Sequence, residues 1–182
     1  MRNEDMQQAR HLKLFGGVED AQVANVLRGA FLLRFPARVE LVRENEPADF
    51  LHVIVEEQVE LFSAYRDRGT TVGVLDLGRS FIAAAVLLDR LYLKSARTLM
   101  VMRVLMLPAD AVRVSFAEGG AFSRALAIEL AVSYRYLVKE LKNQKLRSTL
   151  SGSPTGCSSA TRKRGQRVYS RFRSARRYSQ PD

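Results

Sequence analysis

The chain has 182 residues, 47% of them apolar, which suits one globular domain with appendages. One cysteine (Cys157) and two distant histidines (His11, His52) exclude an internal disulfide, a thiolate zinc cluster and an iron–sulfur centre. The net charge of +10 is unevenly placed: residues 1–150 carry a surplus of +3 and residues 151–182 one of +7. The body therefore has a weak field and the basic excess belongs to the tail.

No charged leader with an apolar stretch opens the sequence, and no apolar run approaches the ~18 residues of a membrane helix, so a cytoplasmic protein with no membrane contact is expected. Val18, Ala21, Val23, Val26 and Leu27 fall mostly on one helical face, with Asp20 in the first turn and Gly29 at the end. From Phe31 to Leu107 short apolar segments alternate with turn residues. They are Phe31–Phe35, Val39–Val42, Phe50–Val55, Val59–Tyr65, Thr71–Leu75 and Leu99–Leu107, broken at Pro36, Asn45–Pro47, Arg68–Gly69 and Asp76–Gly78. That spacing predicts an antiparallel roll or barrel. A short helix follows from Pro108 to Gly119–Gly120.

Ala121 to about Leu146 lacks proline and glycine and is rich in strong helix formers, predicting one long helix. Ala127, Leu130, Tyr134, Leu137 and Leu141 recur at steps of three and four, the seam expected between paired helices of a homodimer. Over two heptads the same stripe also reads as intramolecular core. Phe122 and Leu126 lie beside it and are expected to pack on the β domain.

The ordered set of stretches resembles the cyclic-nucleotide-binding sensor of the Crp/Fnr superfamily over residues 11–150. It comprises His11-Leu-Lys-Leu-Phe-Gly-Gly-Val-Glu-Asp, Arg34-Phe-Pro through Pro47-Ala-Asp, and Phe50-Leu-His-Val-Ile-Val-Glu-Glu-Gln-Val, with Glu57 where a turn glycine is usual. Leu77-Gly-Arg-Ser-Phe-Ile and Lys94-Ser-Ala bracket the stretch that resembles the phosphate-binding cassette. The resemblance implies an α+β fold: an antiparallel double-stranded β-helix (a jelly-roll-like β-roll) flanked by short helices, with one long C-terminal dimerisation helix. It divides the chain into a sensor (1–120), a dimerisation helix (121–149) and a basic tail (150–182).

The resemblance places ligand contacts at Phe81, Ile82, Ala83, Ala84, Lys94, Ser95 and Ala96, and here the sequence departs from the family. Ala83 stands for the glycine that admits the phosphate, Ala84 for the carboxylate that holds the ribose, and Lys94 for the bidentate arginine. The polar pair that meets the purine falls near Leu137 and Val138. Cyclic AMP is therefore not expected to bind in the usual way, and the pocket is either closed or adapted to another, more apolar effector. Lys94 also reads as a plain exposed lysine and Ser95 as a turn hydroxyl. Haem on His52 or His11 is disfavoured, since His52 sits in an apolar strand; no cofactor or metal is expected. No nucleophile–base pair stands out, so no enzyme is expected.

The tail is rich in Ser, Arg, Gly and Thr and reads as disordered; Arg162-Lys-Arg and Arg171-Phe-Arg-Ser-Ala-Arg-Arg-Tyr are its basic runs. One codon choice for Leu150–Cys157, read two bases on, spells Glu-Arg-Leu-Ala-Asn-Trp-Leu, an amphipathic helical continuation. The expectation is a frameshifted regulator lacking its winged helix-turn-helix, with DNA a partner by resemblance only. The alternative is a stand-alone module that regulates a partner protein.

Overall fold

The computed structural model describes residues 3–65 and 68–150. Helix α1 (Asn3–Arg10), a single 3-10 turn (Lys13–Phe15) and α2 (Asp20–Val26) precede the strands. The strands are β1 (Phe31–Phe35), β2 (Glu40–Val42), β3 (Phe50–Ile54), β4 (Val59–Tyr65), β5 (Arg68–Leu75), β6 (Ser80–Phe81), β7 (Ser95–Thr98) and β8 (Met102–Pro108). Helix α3 (Ala83–Leu88) interrupts them after β6, and α4 (Ala109–Glu118) and α5 (Gly120–Leu150) follow β8. The expected β-roll is present.

Every strand pair is antiparallel, and the strands form two sheets in the orders β1-β8-β3-β6 and β2-β7-β4-β5. β8 and β3 occupy the centre of the first sheet, and Leu51, Val53, Ile54, Met102, Val104, Leu105 and Leu107 are fully buried. Burial on both faces explains why these strands read as near-continuous apolar runs. Direct pairing sorts them: His52 stands opposite Phe81 and Met106, while Val53 stands opposite Ser80 and Leu105. The two sets lie on opposite faces because side chains alternate along a strand.

Helices close the face that carries Ser80. Val26, Val112, Phe122 and Leu126 are fully buried, and the Phe15 ring stacks on Phe122 with centroids 6.0 Å apart. Removing a ring such as Phe122 from such a core costs about 3–5 kcal/mol. At the N-terminus, Arg103 of β8 donates to Asp5 (3.0 Å) and to Gln8 (2.6 Å), fastening α1 to the sheet. Gly119 (φ 82°) and Gly120 (φ 84°) both take the left-handed conformation that separates α4 from α5, one that other residues resist.

Local sequence patterns missed α1, the two-residue β6, α3 and β7. Leu99–Val101, read as the start of the last strand, forms a bend, so β8 starts at Met102. The described chain divides into a compact unit, Met1–Lys139, and a second beginning at Glu140, so α5 contributes to both. In the second, Asn143 donates to Glu140 at 3.5 Å. The tail after Leu150, with Cys157 and the basic runs, lies outside the described residues.

Candidate functional site: the cassette and the helix that closes it

The segment from Phe81 to Ala96 begins on the last strand of one sheet and ends inside the other. Phe81 is buried on β6 and stacks on His52 of β3, with centroids 5.1 Å apart and planes 24° from parallel. Ile82 then takes φ 63°, a left-handed conformation that a β-branched residue rarely adopts. Such strain persists where surroundings over-determine the backbone. Here Ile82 caps α3, its carbonyl accepting from the N–H of Ala85 at 3.1 Å. Ala83 is buried beneath that first turn and Ala84 is exposed.

The other end is built around Ser95. Its buried hydroxyl accepts the N–H of Glu44 at 3.0 Å, and Ser63 donates to the Glu44 carboxylate at 2.8 Å. The Ser95 oxygen thus serves the Glu44 backbone while its O–H remains able to donate, and the Glu44 carboxylate is held by Ser63. Lys94 is half-buried, and burial holds its ammonium below the usual lysine range. It has no hydrogen-bond or ion-pair partner among the described residues. Ala96 is fully buried opposite Leu61 and Val42.

On the next register position of β4 and β7, Glu60 faces Arg97, whose Nε donates at 2.7 Å. Burial pushes the Glu60 carboxyl up, but the bonds from Arg97 and Thr71 outweigh it and hold it below the ordinary range. Arg97 also lies 4.7 Å from the centroid of the Phe62 ring. The guanidinium of this strand is therefore spent on its own sheet.

His52 has neither ring nitrogen bonded, is 2% exposed, and burial pushes its pKa down to about 4. It is a neutral stacking residue. Among the described residues no group of three or more His, Cys, Asp or Glu could hold a metal ion.

Helix α5 supplies the part of the site that sequence reading missed. Glu129 accepts Arg79 Nε (3.1 Å), the Ser80 N–H (2.6 Å) and the Ser80 hydroxyl (2.7 Å), while Arg79 also donates to Ser133 (3.0 Å). Further along, Tyr136 Cε1 lies 3.9 Å from where a Gly73 Cβ would stand on β5. A legible signal existed: Phe122, Leu126, Glu129 and Ser133 follow steps of four, three and four, which puts the acid on the core stripe. Of the seam residues, Leu130 packs against the core. Ala127, Tyr134 (69% exposed) and Leu137 (45%) are exposed, as is Leu141 in the second unit. Leu137 and Val138, which fall near the family's purine-contacting pair, are apolar.

Comparison with protein families matches the cyclic nucleotide-binding domain over residues 32–118. These residues are a cyclic nucleotide-binding domain. The resemblance read from the sequence holds at that level, and the domain covers all eight strands except the first residue of β1. No curated protein sequence matches the chain. Among solved structures, the transcriptional regulator DNR from Pseudomonas aeruginosa is similar over 96% of this chain and 88% of its own, with TM-score 0.61 and 14% identity. Its sensor domain covers 70% of this chain and 91% of its own (TM-score 0.60, 16% identity). The regulatory domain of Toxoplasma gondii PKA, solved with cAMP, covers 63% of this chain at TM-score 0.55 and 15% identity. The chain spans less than half, 45%, of that protein's structure. At such identities the likeness is one of fold. No helix among the described residues is long and apolar enough to cross a membrane.

Proposed function

We propose that this cyclic nucleotide-binding domain is the sensing, dimerising part of a Crp/Fnr-type transcription regulator that does not take cyclic AMP in the usual way. The cassette carries the reading. Exposed Ala84 stands where a ribose carboxylate is needed, Lys94 offers a point charge in place of a guanidinium fork, and the Ser95 hydroxyl already serves Glu44. A cyclic phosphate would meet one partly desolvated ammonium and the Ser95 O–H, without a guanidinium fork. The site is a binding site and not a catalytic one.

Dimerisation rests on the exposed apolar stripe of Ala127, Tyr134 and Leu137, with Ile128 (57%) and Val132 (45%) exposed nearby, and on the sequence pattern that continues to Leu141. Apolar groups left in water along a helix favour a partner helix. Specific operator binding needs a reader of base edges, and residues 1–150 offer none recognisable. The domain divisions at 120 and 149, the frameshift origin of the tail and a cytoplasmic location belong to the same reading.

Calorimetric titration with cyclic AMP and cyclic GMP tests the cassette: no submicromolar binding is expected, and such binding of either would overturn it. Sedimentation of the Tyr134→Asp/Leu137→Asp variant tests the seam. A monomer with unchanged thermal unfolding of the roll is expected; a wild type that is already monomeric would refute the dimer.

A further inference from the structure

The turn at Glu44–Glu46 fixes the chain on both sides of Lys94. The Tyr92 N–H donates to the Glu46 carbonyl at 2.9 Å, the Asn45 N–H to the Tyr92 carbonyl at 2.8 Å, and the Glu44 N–H to the Ser95 hydroxyl at 3.0 Å. Exposure then alternates along the segment. Leu91 (50%) and Leu93 (78%) stand in solvent, Tyr92 is buried and Lys94 is partly covered. Lys13, Lys139 and Lys142 are exposed by contrast. Among the described residues Lys94 has no hydrogen-bond or ion-pair partner, and the Glu44 carboxylate across the turn accepts from Ser63 instead. The fold therefore draws an ammonium partly out of water and gives it no counter-charge, a cost that falls on the protonated form alone.

We propose that Lys94 is a modification site, the preferred acceptor in this chain for an activated acyl group delivered as an acyl phosphate or an acyl thioester. The neutral amine is the nucleophile, and burial holds the Lys94 ammonium below the usual lysine range. An ordinary lysine is free amine in roughly one molecule in a thousand near neutral pH, so any lowering multiplies the reactive share. Leu91 and Leu93 on either side offer apolar surface to the acyl chain. In the reaction the amine lone pair attacks the acyl carbon and forms the C–N bond. The bond from that carbon to the phosphate oxygen or thiol sulfur breaks, the leaving group takes the electron pair, and the amine proton passes to water. The product is a neutral amide, so acylation removes a charge that the fold leaves unpaired. It also removes the cation that the sensor reading offers to a phosphate; that consequence rests on the reading, whereas the reaction does not.

The test exposes the full chain to limiting acetyl phosphate or acetyl-CoA at pH 7.5, with site occupancy followed by mass spectrometry. In the folded chain Lys94 should acylate at least threefold faster than Lys13, Lys139 and Lys142 with one donor or both. The four rates should converge in 8 M urea. A donor that fails alone identifies the other as the source. Lys94 reacting no faster than the exposed lysines with either donor overturns the proposal, as does a preference that persists in urea, which would belong to the local sequence and not to the fold. Lys94→Met keeps an apolar stem of similar length without the charge and should raise Tm; an unchanged or lower Tm overturns the cost of burial on which the reactivity depends. Submicromolar cyclic AMP binding by the unmodified chain would overturn the sensor reading and leave these rates as they are.

Discussion

Glu129 accepts both the backbone N–H and the hydroxyl of Ser80, at 2.6 and 2.7 Å, across 49 positions of sequence. One carboxylate thereby joins the long helix to the strand that opens the cassette, with Arg79 as a third donor at 3.1 Å. Bonds to a charged group contribute about 1.5–3 kcal/mol each at most, and the pair is partly exposed, so screening reduces the Arg79 share. Glu129→Ala should cost about 3 kcal/mol and Ser80→Ala about 1 kcal/mol, with a coupling of about 1–2 kcal/mol in a double-mutant cycle by urea unfolding. A coupling near zero would mean the contact contributes nothing.

His52 makes stability depend on pH in a stated direction. Its folded pKa of about 4 lies below its unfolded value of 6.5, so the unfolded chain takes the proton first as pH falls. The stability it supports is complete above pH 6.5 and is lost between there and about pH 4, by about 3 kcal/mol in all. His52→Phe keeps the stack on Phe81 and removes the orphaned nitrogens. That variant should be at least as stable near neutrality and should lose this acid-side decline, read from denaturant midpoints across pH.

Glu57 takes φ 65° in the turn between β3 and β4, where the family pattern has glycine. The left-handed conformation is unfavourable for a residue with a Cβ, and the side chain is exposed. Glu57→Gly should stabilise the domain by about 0.5–1 kcal/mol, the strain relieved exceeding the entropy added to the unfolded chain. A loss of stability would show that the carboxylate has a role in the turn.

Restoring the family pattern tests the proposed reading of the cassette. Ala83→Gly, Ala84→Glu and Lys94→Arg together return the close approach, the ribose acceptor and the phosphate fork. Two charge-assisted contacts at about 1.5 kcal/mol each predict about 100-fold tighter cyclic AMP binding than wild type, measured calorimetrically. Equal affinities for wild type and the triple variant would show that other residues decide the ligand.

Much of this molecule was legible in the order of its residues. β1, Phe31–Phe35, and β4, Val59–Tyr65, have the bounds their apolar runs predict, because a strand's two faces write a short repeat into sequence. The break at Gly119–Gly120 follows from local propensity, whereas α5 runs to Leu150, past the expected end near Leu146. β6 and β7 were not legible: two and four residues are too few to carry a period, and both exist because longer neighbours offer them partners. The departures from the family pattern expected at Ala83, Ala84 and Lys94 were read from residue identity alone.

Only the tertiary structure decided what stands in place of those groups. That Ser95 accepts the Glu44 N–H, that His52 is buried without a partner, and that Glu129 and Tyr136 reach Ser80 and Gly73 are facts of long-range placement. Sequence records which faces are apolar, because burial acts on every residue of an element. It does not record which polar group of one element meets another far along the chain, because such a contact is fixed by packing geometry and leaves no period behind.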